Sequence, residues 1–174
     1  MDRIAGIEGD IVECGVGEGD SFLSWAILHF LDGTKDRKLW GFDSFAGFPE
    51  PTTHDLRGDG LRPIQKGDAA VPKEVTTEKL AASGLPADWV RSHITLVEGF
   101  FEDSLSRYSG KGIALLHIDA DLYASYQTVL RQLYPRVVPG GVVAFDEYGS
   151  PADEAKWPGA KKAVDEYFAG KNLE

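Results

Sequence analysis

Residues 115–123 read LLHIDADLY and bring His117, Asp119 and Asp121 together at the end of an apolar run. A carboxylate buried alone is costly, so it is normally paired, solvated or bound to a cation. Asp121 is well placed to cap a helix that follows. His117 shares strand parity with Asp119 and is read as a packing or structural residue rather than a catalytic one.

A second stretch, IVECGVGEGDS, ends an apolar run and opens a helical pattern. Gly15, Gly17 and Gly19 let the backbone turn sharply and let a ligand approach without Cβ clashes. The helix start offers free N–H groups to an anionic group. The spacing is G-x-G-x-G, not the dinucleotide fingerprint G-x-G-x-x-G. Glu13 precedes the first glycine by two residues, where it would repel a pyrophosphate. It would suit an ammonium group, such as that of the methionine part of S-adenosylmethionine. Asp43 in GFDSF ends the next strand pattern, a place from which a carboxylate reaches ribose hydroxyls.

The elements that must position these residues alternate. Strands are predicted over 11–14, 39–42, 94–97, 113–118 and 142–145. A first helix places Leu23, Ala26, Ile27, Phe30 and Leu31 on one face, with Asp20 or Ser21 as its cap and Gly33 at its end. A later helix carries Leu122, Tyr126, Val129, Leu130 and Leu133, and a last one starts near Pro158. Apolar strands alternating with helices predict a parallel sheet covered on both faces. Residues 46–92 interrupt the alternation with a polar, Pro- and Gly-rich insertion. It reads as a lid or a surface loop, with a short helix around 77–82.

The 174 residues fit one domain with a proper core, with 43% apolar and 26% charged side chains. A net charge of −10 disfavours nucleic acid and does not favour an anionic membrane. No apolar run is long enough to span a bilayer, and the N-terminus lacks the apolar segment of a signal peptide. The single cysteine, Cys14, excludes an internal disulfide and suits a reducing cytoplasm.

Six blocks in order, ECGVGEGDS, GFDSFAGFP, VEGFFEDSL, LLHIDADLY, LYPRVVPGGVVAFDEYG and PGAKKAVDEYF, resemble the macrocin O-methyltransferase family from about Gly9 to Phe168. The resemblance implies a Rossmann-like, doubly wound α/β domain that uses S-adenosylmethionine to methylate a hydroxyl, often on a natural-product sugar. It implies that Glu13, Gly15, Gly17, Gly19 and Ser21 hold the methionine end and that Asp43 holds the ribose, with Ser44 among the cofactor-binding residues. Gly99, Phe101 and Glu98 fall where the family lines its adenine pocket. Asp119, Asp146 and Glu147 match its metal-binding carboxylates. Two positions depart from the pattern: Asp20 stands where Gly is usual, and Glu147 where a second Asp is usual.

In such a fold the fourth and fifth strands are neighbours, about 4.8 Å apart. Three carboxylates at their ends would repel one another, and a hard dication removes the conflict. All-oxygen ligation favours Mg²⁺, with Mn²⁺ and Ca²⁺ as alternatives. Asp119 is the candidate proton acceptor. The catechol-type lysine base is missing, its position being Leu122. The expected sheet has five parallel strands and lacks the antiparallel pair usual in such methyltransferases. Its last strand is left with an open edge, for which a homodimer is expected. The alternatives are a cofactor-binding fragment without turnover and a nucleotide-dependent oxidoreductase.

Overall fold

The five apolar runs form five strands. In the computed structural model, which describes residues 1–34 and 36–171, they are β1 (Asp10–Cys14), β2 (Leu39–Asp43), β3 (Ile94–Glu98), β4 (Ile113–Ile118) and β5 (Val137–Phe145). All pairings are parallel, in the order β3-β2-β1-β4-β5. The chain therefore moves outward from β1 in one direction and from β4 in the other. Ligands of open α/β sheets bind at the carboxyl ends of the strands, where the order reverses.

Strand parity divides the core. Val12, Cys14, Leu116 and Ile118 face α5 (Tyr123–Leu133) and α7 (Pro158–Phe168). On α5, Tyr126, Val129, Leu130 and Leu133 form the buried stripe that the helical spacing predicts. Ile11, Leu39 and Leu115 face α1 (Asp20–Asp32) on the other side. Fully burying one such side chain contributes about 1.5–3 kcal/mol.

Helix α1 differs from expectation. Its buried residues are Phe22, Ala26 and His29, while Ile27, Leu28, Phe30 and Leu31 are exposed. The helix is apolar almost all round, so spacing alone does not single out a face. His29 turns inward because its Nε2 meets the backbone carbonyl of Arg37 at 3.0 Å. Neither Asp20 nor Ser21 caps the helix: Gly19 occupies the N-cap in the left-handed region. Asp20 pairs instead with Lys79, and the Ser21 hydroxyl reaches back to Glu13.

The insertion is ordered and fastened at several points. It contains α2 (Lys73–Ala82), longer than predicted, and α3 (Ala87–His93). Thr76 of α2 is fully buried and donates from its hydroxyl to the Gly17 carbonyl at 3.0 Å. Further up, Phe48 and the 67–68 segment exchange backbone hydrogen bonds of 2.9 Å. The Gly58 N–H donates to the Ala155 carbonyl at 2.9 Å, within α6 (Pro151–Lys156). No helix among the described residues is long and apolar enough to cross a membrane. Among the described residues β5 pairs only with β4 and leaves an open edge.

Candidate active site

Register sets the site. Cys14 lies beside Ile118, and Ile118 beside Phe145, so β1, β4 and β5 end level. The Asp119 N–H donates to the Cys14 carbonyl at 2.9 Å and the Asp146 N–H to the Ile118 carbonyl at 3.0 Å. Gly15 sits in the crossing with φ 92°, and a Cβ there would lie 1.6 Å from the Asp119 carbonyl oxygen. Only glycine fits.

From there the loop runs over a cavity of about 330 Å³, within the range of small-molecule sites. Gly15, Gly17, Gly19 and Ser21 line one wall, with Asp43 and Ser44 at the end of β2. Asp43 holds the loop. Its Oδ2 accepts the N–H groups of Val16 and Gly17, both at 2.8 Å, and its Oδ1 accepts that of Phe45 at 2.7 Å. A carboxylate has about four lone-pair sites, so one remains for a ligand. Phe100 and Phe101, at the start of α4 (Phe101–Ser104), form another wall. Phe48 and Pro49 of the insertion face the same space.

Glu13 lies beneath this wall, not on it. It is fully buried, and its Oε1 accepts from the Ser21 hydroxyl and faces His117 Nδ1 at 3.0 Å. Burial pushes the Glu13 carboxyl up, against the bonds from His117 and Ser21. Burial pulls the His117 imidazole down, but the Glu13 bond and charge outweigh it and the net shift is upward. The His117 ring also meets Trp25 edge-on at 5.8 Å. The structural reading of His117 agrees with this geometry.

The acids gather as the register requires. Ligand oxygens of Asp119, Asp146 and Glu147 all lie within 4.8 Å of one another. Glu147 is buried; its Oε2 accepts from the Tyr126 hydroxyl, while its Oε1 has no hydrogen-bond partner among the described residues. Burial, the Asp121 charge and the protonated carboxyl's bond to the Asp119 carboxylate raise Glu147 to about 10. Burial also raises Asp119, with Asp146 adding to it against the pull of Glu147 and His117. Clustered carboxyls that can stay together only by holding a proton, one of them with an oxygen that no N–H or O–H group reaches, are a donor set that suits a hard dication.

Asp121 corrects a sequence reading. It caps nothing: Leu122 occupies the N-cap position of α5 and makes no side-chain cap bond. Asp121 adopts φ 57°, and its residue lines the cavity beside Asp119. Burial first, then the Asp119 charge, raise its carboxyl to about 7.

The remaining expected residues spread out. Gly99 has φ 137° and donates its N–H to the Asp43 carbonyl at 2.9 Å, which supports the β2 end from behind. Glu98 is largely exposed and pairs with Lys73 at 3.7 Å. Neither lines the cavity, whereas Phe101 does. Phe48, Phe100 and Ser125 line it without having been singled out. Phe100 is adjacent to an expected residue, but nothing local marks Phe48 or Ser125.

Fold and site together define a Rossmann-like α/β domain with a ligand cavity at the strand switch and an acidic cluster beside it. The chain belongs to the macrocin-O-methyltransferase (TylF) family, whose sequence profile matches residues 3–174. It is 33% identical over 167 residues to the mycinamicin III 3''-O-methyltransferase of Micromonospora griseorubida, covering 93% of this chain and 61% of that enzyme. It is 32% identical over 164 residues to the demethyldecarbamoylnovobiocin O-methyltransferase of Streptomyces niveus, covering 94% and 59%. Among solved structures, the O-methyltransferase NovP superposes with a TM-score of 0.80 at 30% identity, covering 97% of this chain and 67% of that one. A calicheamicin methyltransferase gives 0.79 at 29%, covering 99% and 70%. The chain spans about 60% of the length of the curated relatives it matches.

Proposed function

We propose that the chain transfers a methyl group from S-adenosylmethionine to a hydroxyl of a small molecule, such as a natural-product sugar, with the help of a divalent cation, Mg²⁺ by preference. The observation that carries this is the orphaned Glu147 Oε1 within the acidic cluster, next to a cavity roofed by a glycine loop. Family membership favours methyl transfer over the nicotinamide-dependent alternative.

In this reading the Gly15–Gly19 loop and Ser21 receive the methionine end. Glu13 acts from below, by fixing Ser21 and His117. Asp43 offers its last lone pair to a ribose hydroxyl, with Ser44 next to it. Phe101, backed by Gly99, faces the adenine, and Glu98 is the weakest of the assigned contacts because it lies outside the cavity wall. Asp119, Asp146 and Glu147 would hold the cation, which when bound supplies Lewis acidity toward the acceptor hydroxyl. The reaction breaks the sulfonium S–CH₃ bond and forms an O–CH₃ bond, leaving a thioether. The hydroxyl proton passes to a carboxylate. Asp119 takes it in this reading; Asp121, which lines the cavity beside it and is not among the three clustered carboxylates, is the second candidate.

The insertion serves as a lid, since Phe48 and Pro49 close the cavity from above. The reaction belongs in a reducing cytoplasm, in keeping with one buried cysteine. The open edge of β5 pairs with a second copy, which light scattering tests: a monomer at high concentration would remove that part.

Titration calorimetry tests the core of the proposal. S-adenosylmethionine and S-adenosylhomocysteine should bind and NAD should not. Binding without turnover across a broad acceptor panel would leave a cofactor-binding module.

A further inference from the structure

The turn that carries the acids, Asp119–Leu122, has one end pinned. The Asp119 N–H is bonded to β1 through the Cys14 carbonyl at 2.9 Å. Beyond it Asp121 holds a left-handed φ of 57°, and the Leu122 N–H is bent back to the Ala120 carbonyl at 2.5 Å. A non-glycine residue keeps such a conformation only when its surroundings impose it. The helix that follows starts with Leu122 at the N-cap, which offers no side-chain oxygen to the free N–H groups of the first turn.

The missing oxygen comes from the insertion. Asp55 Oδ1 accepts the Tyr123 N–H at 2.7 Å, across 68 residues. Its Oδ2 accepts the N–H and the hydroxyl of Thr52, at 2.7 and 2.8 Å. Asp55 is 4% exposed, and no ion pair to it occurs among the described residues. Three donors and the positive end of α5 compensate its charge instead. The fit is tight from a third side: a Cβ on Gly159 of α7 would lie 2.0 Å from Asp55 Oδ1 and 2.9 Å from the Tyr123 nitrogen.

We infer that Asp55 is a positioning residue for the acidic site: by capping α5 through space it fixes the Asp119–Leu122 turn and keeps Asp119 and Asp121 aimed at the cavity. It touches neither donor nor acceptor. The same insertion supplies Phe48 to the cavity wall, so one strap sets both that wall and the acids. The inference deepens the methyl-transfer reading and rests on it for the Mn²⁺ and turnover readouts; the exchange readout is independent of it.

The test compares wild type with Asp55→Ala, Asp55→Asn and Gly159→Ala, the last crowding the same contact without touching the charge. Amide hydrogen exchange reads the turn, Mn²⁺ titration reads the acids, and S-adenosylhomocysteine affinity reads the glycine-loop side of the cavity. In Asp55→Ala, exchange at Tyr123–Tyr126 should rise while β1 stays protected. Mn²⁺ affinity and kcat should fall about 10-fold or more, the scale for an outer partner of a metal site. S-adenosylhomocysteine affinity should fall less than Mn²⁺ affinity does. Gly159→Ala should reproduce this pattern and carries the test where Asp55→Ala does not fold. Asp55→Asn, which keeps one acceptor oxygen, should lose less. Unchanged exchange at Tyr123, or raised exchange with unaltered Mn²⁺ affinity, overturns the inference. Wild type that takes up neither S-adenosylhomocysteine nor Mn²⁺ would end the functional reading, and the exchange comparison would still decide whether Asp55 holds the turn.

Discussion

Carboxylates stand at two places along the same sheet edge and meet different surroundings. At the end of β2, Asp43 receives three backbone N–H groups, and its charge is spread over a loop that it shapes. At the ends of β4 and β5, Asp119, Asp146 and Glu147 face one another, and a buried oxygen is left without a partner. The first arrangement is satisfied within the chain but for one lone-pair site. The second is unresolved electrostatically, which is the condition a cation relieves. The same functional group thus meets two environments, decided by whether its neighbours donate or repel.

The sharpest way to break this contrast is at Asp119. With a working acceptor, Asp119→Asn should cut kcat by about 10²-fold or more, through lost ligation and charge. A fully active variant would remove the acidic cluster from the chemistry. At Asp43 the expected loss is in binding. Asp43→Ala should weaken S-adenosylmethionine by about 1–3 kcal/mol, the scale of charged hydrogen bonds and of a loosened loop. Unchanged affinity in a folded variant would show that the glycine loop holds its shape without it.

Glu147→Gln should act with the opposite sign on stability. In chelated protein near pH 8 it should raise Tm, because wild type must there keep a carboxyl protonated against its ordinary value of 4.5. The same variant should lose the stabilisation that Mg²⁺ gives wild type. A lower Tm in chelator would mean that Glu147 is satisfied as it stands.

Smallest is the pH dependence of the chelated wild type. Asp121 is raised from 3.8 to about 7, so the folded state binds the proton that the unfolded state has released. Stability from this group is complete below about pH 4 and is lost as pH rises through 7. Thermal melts in chelator should therefore decline from pH 5 to pH 8, and Mg²⁺ should raise Tm more at the higher pH. Glu147 slopes the same way, so a flat profile would mean that neither carboxyl is held above its ordinary range.

Much of this was legible in the sequence because it is local. The five strands are uninterrupted apolar runs, the α5 stripe repeats at helical spacing, and the glycine loop is contiguous. Asp119 and Asp146-Glu147 could be joined once the resemblance made their strands neighbours. What escaped depends on contacts between distant residues. Asp121 looks like a helix cap because the real cap, Asp55, lies 68 residues earlier. Nothing near Glu13 reveals that Ser21 and His117 share its Oε1 while its Oε2 has no partner among the described residues. Helix α1 shows apolar residues on every side, so its inward face is set by Arg37 and the sheet.

The most direct measurement is methyl incorporation from labelled S-adenosylmethionine into a panel of hydroxylated, sugar-bearing small molecules. Each reaction is run with Mg²⁺, with excess chelator, and with Mg²⁺ restored. We expect incorporation into at least one acceptor, abolished by chelator and recovered with Mg²⁺. Full incorporation in excess chelator would contradict the account, because Asp119, Asp146 and Glu147 would then carry out their part without a cation.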